Sequence, residues 1–418
     1  MKILLRGGGL INKGAEAMLL TVKAEMAKRV PNAHFILPKD CIHSDAEDTQ
    51  ARRFGFEVRR PRVATRFRTA TTTLKVAIRA SKSARTLWRR RDEYFPTLEM
   101  LAEVDAVLDV HGYAFGDPWL PHYVVRTSGF VSLCRVLRKP YIFLPQSWGP
   151  FQRKSTQSGY RGICRDSTAF YARDRASRAY LAELLAQPES EIRLSPDIAF
   201  VFNHNDYAVG DVPPLPAILM TTSDPLVGIS PNMRVYERAG GGGVGNEYIK
   251  ALACICRQCI RLGARLVLIP HEIRAPNRQA GVSDDCFLIH LLTGIVDDQS
   301  IIALTDQYTA PQIRMVMERL DLLVGSRFHA LVGALSAKVP VVALGWSHKY
   351  LELLTDVGLN GFCASYSEAA HQEVIGILER AWFSRAELRQ RLAACVPGIQ
   401  GRVGRMFDDV AREITVGE

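Results

Sequence analysis

The chain has 418 residues, 47% of them hydrophobic and 23% charged, with a formal net charge of +10. That length exceeds one ordinary core and suits two domains, and the composition excludes a disordered or collagen-like chain. The excess of positive charge points to anionic partners.

The chain alternates short apolar runs with longer stretches of helical periodicity. "KILLRG" reads as a strand and Lys13–Arg29 as a helix, followed by "HFILP" as a second strand. Residues 52–91 are then densely basic and poor in acidic residues, and their second half has the pattern of an amphipathic helix. Such an arm is a solvated face or a contact for anionic lipid. No DNA- or RNA-binding motif accompanies it, so nucleic acid is not expected. "AVLDVHG", "YIFLPQ", "AFYARD" and "IRLSPD" read as further buried strands, with helices at Pro121–Arg138 and Arg175–Leu185 between them. This order predicts a parallel sheet with helices on both faces.

The polar, proline-containing stretch "NHNDYAVGDVPPLP" reads as a linker. After it, "LVGISP", "RLVLIPHE", "SIIAL", "LLVGS" and "VVALGW" read as strands of a second α/β series. The helices between them are expected at about 246–262, 284–292 and 311–320, with a short one after "LLVGS". The expected organisation is an N-terminal Rossmann-like domain over 1–205, a linker over 206–217 and a C-terminal Rossmann-like domain over 218–395. A helical tail over 396–418 is expected to pack back on the first domain. Two such domains facing across a cleft form a GT-B-like fold, with ligands at the carboxyl ends of the strands.

Nine scattered cysteines lack framework spacing, and Cys254, Cys256 and Cys259 read as core residues of a helix, since no second Cys/His pair follows at zinc spacing. No signal peptide and no stretch of about 18 apolar residues is evident, so a cytosolic chain is expected.

Polar groups cluster where predicted strands end. "RGGGLINKGAEAM" opens the first helix, whose amino end can hold an anion, and it contributes Asn12. Its glycine spacing fails the dinucleotide fingerprint. "DVHGYAFGDPW" and "LPQSWGPF" combine aromatic rings with hydrogen-bonding groups, which suits a sugar, and they supply His111, Tyr113, Asp117, Gln146 and Trp148. "YARDRAS" adds Arg173. In the second half, "DLLVGSRFHALVGALSAKVPVVALGW" sets Ser326, Arg327 and His329 at the turn after one strand, and "SHK" sets His348 and Lys349 after the next. Taking guanidinium and imidazole groups out of water demands partners, either carboxylates of the protein or an anionic ligand. The planar fork of Arg327 fits a carboxylate or phosphate.

In order and spacing, "INKGAEAM", "DVHGYAFGDPW", "KPYIFLPQSWGPF", "YARDRAS", "SPDIAF", "PHE" and "VGSRFHALVGALSAKVPVVALGWSHK" resemble the polysaccharide pyruvyl transferase family over about residues 1–360. The resemblance implies a GT-B-like transferase that moves the pyruvyl group of phosphoenolpyruvate onto two hydroxyls of a sugar. The product is a cyclic ketal on an exopolysaccharide or cell-wall glycan precursor, and phosphate is released. It implies that Arg327, Ser326, Lys349, His348 and Arg173 bind phosphoenolpyruvate and that His329 is the proton donor. His111, Tyr113, Gln146, Trp148 and Asn12 would meet the acceptor, with Asp117 as base. "DVHGYAFGD" departs from the plainer glycine-rich run of many members, which leaves the acceptor sugar open. Phosphoenolpyruvate is a co-substrate, so neither cofactor nor metal is expected. A lipid-linked oligosaccharide acceptor would put the enzyme at the inner face of an anionic membrane. The competing readings are a nucleotide-sugar glycosyltransferase and a non-catalytic glycan or lipid-carrier-binding subunit.

Overall fold

The computed structural model describes residues 1–59, 100–207, 213–274, 284–345, 348–365 and 371–415. Most of the basic arm expected at 52–91, and the centre of the expected linker, lie outside the described residues. The chain forms two compact units. The first comprises Met1–Leu10, Val22–Ile198 and Arg402–Glu418, and the second Ile11–Thr21 and Ala199–Gly401. The chain passes from the first unit to the second at Ile198–Ala199, and each unit also takes a piece from the other's stretch of chain.

The first unit is built on β1 (Lys2–Arg6), β2 (His34–Pro38), β3 (Glu57–Arg59), β4 (Ala106–Asp109), β5 (Tyr113–Phe115), β6 (Tyr141–Trp148) and β7 (Ala169–Ala172). They form one parallel sheet in the order β3-β2-β1-β4-β6-β5, with β7 also paired to β6. The strands are almost wholly apolar because helices cover both faces. These are α1 (Lys13–Arg29), α2 (Asp45–Arg53), α3 (Pro121–Val136), α4 (Lys154–Asp166) and α5 (Arg175–Leu185). Local chemistry sets several helix starts. Pro121 occupies the first turn of α3, where its missing N–H costs nothing, and the Asp174 carboxylate accepts the Ser177 N–H at 2.7 Å to cap α5. The core packs Trp148 on Phe115, ring centroids 4.9 Å apart, with Phe143 and Tyr141 beside them. "IRLSPD", read from sequence as a strand, makes only a single bridge, between Leu194 and Ala172. Pro196 has no N–H for a ladder, and the segment passes straight into the helical turn Ile198–Val201.

The second unit repeats the architecture with β8 (Leu226–Ser230), β9 (Arg265–Leu268), β10 (Ile302–Ala303), β11 (Leu322–Gly325), β12 (Val341–Leu344) and β13 (Cys363–Ala364), all parallel, in the order β10-β9-β8-β11-β12-β13. Its helices are α6 (Met233–Arg238), α7 (Glu247–Arg261), α8 (Asp285–Val296), α9 (Ala310–Glu318), α10 (Phe328–Ser336), α11 (His348–Asp356), α12 (His371–Phe383) and the first part of α13 (Arg385–Thr415). Thr309 and Gln312 form a reciprocal capping box at the start of α9. Cys256 and Cys259 are buried on α7 as core residues. The start of α1 joins this unit through backbone bonds: Lys13 N–H donates to the His271 carbonyl at 2.8 Å, and Ile273 N–H to that of Ile11 at 3.0 Å. Among the described residues, no helix is long and apolar enough to cross a membrane.

Candidate functional site

In each unit, polar side chains collect at the carboxyl ends of the central strands. In the second unit the centre is Arg327, just past β11. It is buried, and its Nη2 is shared by two carboxylates, donating to Glu272 Oε2 at 3.0 Å and to Asp285 Oδ1. Its Nε is buried without a hydrogen-bond partner among the described residues. So the question posed by the sequence is answered in part by the protein itself, with carboxylates from outside the βαβ segment holding one edge of the guanidinium.

Asp285 is wholly buried at the first position of α8 and organises its surroundings. It accepts N–H groups from Met233 at 2.9 Å, His271 at 3.0 Å and Glu272 at 2.8 Å. Burial raises its pKa despite the opposing pull of Arg327. Burial alone would also raise Glu272, but Arg327, Arg274 and Arg234 outweigh it and bring Glu272 below its ordinary value. Arg274 Nη2 donates to the outer oxygen of Glu272 at 2.6 Å. Arg234 stands 4.0 Å from the same oxygen and pairs more closely with Glu237, at 2.9 Å, so the three arginines and three carboxylates form one ion-pair network.

His271, at the end of β9, is buried, and its Nδ1 has no hydrogen-bond partner among the described residues. Burial holds its pKa well below the ordinary value, and His329, Arg327 and Lys13 push the same way. The His329 ring lies against Gly14 in the first turn of α1. A Cβ at Gly14 would fall 2.3 Å from the His329 Cβ and 2.5 Å from its Nδ1, so this approach requires glycine. Lys13 pairs with Glu16 at 2.8 Å, and the other Glu16 oxygen accepts the Ala310 N–H at 2.9 Å. The amino ends of α1 and α10 thus flank His329, and both carry the partial positive charge of a helix start.

Several expected contacts are replaced by internal ones. Ser326 is buried, its hydroxyl bonded to the Tyr248 hydroxyl and its carbonyl accepting from Asn232 and Tyr350, each at 2.7 Å. Asn12 belongs to the second unit, where its Oδ1 caps α1 through Gly14 N–H at 2.9 Å and its backbone bridges Glu272. The Lys349 ammonium lies 5.3 Å from the Phe328 ring centroid. The side chain of His348 lies outside the described residues. Lys13 and Asp285 were not expected at the site, whereas "PHE" at a strand end marks His271 and Glu272 in the sequence without giving them a role.

In the first unit, a cavity of about 740 Å³ opens at the ends of β1, β2 and β4. Arg6, Cys41, His111, Tyr113, Trp119, Tyr123 and Arg126 line it. His111 and Tyr113 therefore stand where an acceptor contact was expected. Trp148 does not: it is a core residue, stacked on Phe115, and its indole N–H donates to the Tyr171 carbonyl at 3.0 Å. Gln146 is fully buried in β6, and neither of its side-chain polar atoms has a partner among the described residues. Asp117, expected as a base, accepts the backbone N–H of Gln152 at 2.5 Å and of Arg153 at 3.2 Å, contacts that tie its carboxylate to the 152–153 loop. Arg173 is buried against Asp197 at 2.8 Å and the Ser147 hydroxyl at 2.7 Å. No cluster of three or more metal-ligating side chains occurs among the described residues.

Two Rossmann-like parallel units with their polar residues at the strand ends define a GT-B-type protein. The chain is similar in fold to a putative UDP-N-acetylglucosamine 2-epimerase from Listeria monocytogenes, with a TM-score of 0.61, 11% identity and coverage of 99% of this chain and 96% of that one. It is also similar to the UDP-GlcNAc 2-epimerase of Neisseria meningitidis solved with UDP-GlcNAc (TM-score 0.58, 11% identity, 98% and 99% covered). A third similar structure is Anabaena Alr3699/HepE in complex with UDP and glucose (TM-score 0.57, 15% identity, 99% of both chains covered). No curated protein matches the sequence. Within this fold, the chain belongs to the polysaccharide pyruvyl transferase family, whose pattern matches residues 12–348.

Proposed function

We propose that the protein transfers the pyruvyl group of phosphoenolpyruvate onto two hydroxyls of one sugar of a glycan precursor, forming a cyclic ketal and releasing phosphate. The observation that carries this reading is the buried trio Arg327, His271 and Lys13 with half-buried His329 beside it, at the amino ends of α1 and α10, in a chain of this family. Phosphoenolpyruvate bears a carboxylate and a phosphate, and this set offers both full charges and helix-end amides.

Glu272 and Asp285 fix the plane of Arg327 and leave its Nε edge for the ligand. A protonated His329 delivers its proton to the methylene carbon, and the carbon bearing the phosphate becomes electrophilic. A sugar hydroxyl adds there, phosphate departs, and a second hydroxyl closes the ring. General-acid help of this kind contributes about 10²–10⁴-fold. Arg327 and Lys349 offset charge on the carboxylate and the departing phosphate. The aromatic cavity of the first unit takes the acceptor. The basic run over 52–91 in the sequence favours an acceptor carried at an anionic membrane surface.

Thermal denaturation with phosphoenolpyruvate, and separately with UDP- and GDP-sugars, tests the reading. Stabilisation by phosphoenolpyruvate alone is expected; stabilisation by nucleotide sugars alone would assign the protein to glycosyl transfer.

A further inference from the structure

β4 ends in Asp109, which pairs in parallel register with Arg6 at the end of β1. Asp109 has no solvent exposure, and each of its oxygens is held twice. One lies 2.7 Å from His111 Nδ1 and accepts the His111 N–H at 3.2 Å. The other accepts from the Tyr141 hydroxyl and lies 3.4 Å from Arg6 Nη1. Burial alone would raise this carboxyl, but His111, Arg6 and Tyr141 outweigh it and keep it ionised. An ionised carboxylate only accepts, so the proton of the short contact sits on His111 Nδ1 and the lone pair of a neutral ring sits on Nε2.

The ring is also fixed on its faces. A Cβ at Gly7, whose φ is +93°, would fall 2.2 Å from Nδ1, and Phe115 meets the ring edge-on with centroids 5.6 Å apart. His111 nevertheless keeps about a quarter of its side chain exposed, and it lines the 740 Å³ cavity. Across that cavity Tyr113, Trp119 and Tyr123 form a wall of edge-to-face rings, 5.9 Å and 6.2 Å between centroids. The indole N–H of Trp119 has no partner among the described residues. Its volume falls in the range of small-molecule sites, about 300–1,000 Å³. The other titratable groups on its walls are Arg6, Asp40, Cys41, His43, Tyr113, Tyr123 and Arg126. Burial pushes the Cys41 thiol up to about 12, which removes it as a base.

We infer that this cavity seats the acceptor sugar against its aromatic wall, and that His111, oriented by buried Asp109, is the base that takes the proton of the attacking hydroxyl. The inference rests on the pyruvyl-transfer reading and assigns the role expected of Asp117 to a different residue. In the step, the hydroxyl O–H bond breaks and its proton passes to His111 Nε2. The oxygen pair forms the new bond to the second carbon of phosphoenolpyruvate, and the double-bond pair takes up the proton that the general acid of the reaction adds at the methylene. Phosphate then leaves with the electron pair of its C–O bond, the second hydroxyl adds, and that hydroxyl's proton goes to the departing phosphate.

The test uses the full chain with phosphoenolpyruvate and the methyl glycosides of glucose, galactose, mannose and N-acetylmannosamine, with ketal formation followed by mass spectrometry. His111→Gln is expected to lower turnover about 10²–10⁴-fold, with stabilisation by phosphoenolpyruvate retained. Asp109→Asn should lower turnover comparably and shift the ring proton from Nδ1 to Nε2 in ¹⁵N spectra. His111→Gln turnover within threefold of wild type, or a wild-type ring carrying its proton on Nε2, would overturn the inference. Should wild type ketalate none of the glycosides, the pyruvyl-transfer reading fails, and the tautomer measurement still decides the assignment of His111.

Discussion

Replacing Asp285 by alanine removes the acceptor for three buried backbone N–H groups, those of Met233, His271 and Glu272, and one of the two carboxylates on Arg327. Breaking a buried ion pair from one side costs about 3–5 kcal/mol, because the surviving charge stays desolvated. Each orphaned buried amide costs a further ~1–3 kcal/mol, although relaxation and entering water keep these terms from adding fully. A loss of at least about 3–5 kcal/mol from the second unit is expected. Asp285→Asn keeps one acceptor oxygen and the side-chain shape, and it should cost roughly half as much. Two units need not unfold together. Urea titration read by hydrogen exchange at β8 and β11 isolates the right transition, because these strands pair directly beside Arg327. A loss below ~1 kcal/mol for Asp285→Ala would refute the reasoning, since the carboxylate would then not be what holds the loop ends and the guanidinium together.

Three other perturbations follow from the same geometry. His329→Gln should cut ketal formation about 10²–10⁴-fold while phosphoenolpyruvate binding, read by calorimetry, is largely kept. Gly14→Ala sets a Cβ 2.3 Å from that of His329, so the imidazole must move, and a misplacement of about 1 Å is expected to lower turnover on the order of 10²-fold in steady-state assays. His271 has a folded-state pKa far below its unfolded value, so the unfolded chain takes up the proton first. Stability is therefore full above about pH 6.5 and falls by up to ~1.4 kcal/mol per unit below it. Urea midpoints of wild type and His271→Gln between pH 7.5 and 5.5 check this, and the variant should show the shallower decline.

Much of the scaffold is legible in the sequence. Lys13–Arg29, Arg175–Leu185 and "HFILP" are observed with the expected bounds, because apolar spacing and caps are local signals. What local pattern does not carry is the pairing of distant segments. Asp285 reaches Arg327 from 42 residues away and Glu272 from 55, so a guanidinium that reads as waiting for a ligand is already half engaged. The start of α1 joins the second unit through two backbone bonds to residues near 271, which no periodicity announces. Trp148 illustrates a different limit. "QSWG" looks like an exposed aromatic loop, yet Trp148 ends an eight-residue strand and turns into the core. The Asp109–His111 pair was visible in "DVHG" as two polar residues at a strand end. Its meaning depends on Arg6 and Tyr141, which only the sheet order sets beside it.

The most direct measurement is phosphate release from phosphoenolpyruvate, followed with and without a glycan acceptor and paired with mass spectrometry of that acceptor. Release only when acceptor is present, one phosphate for each ketal gained, is the expected result. Acceptor-independent hydrolysis, or a glycan that stays unmodified while a nucleotide sugar is consumed, would contradict pyruvyl transfer by this site.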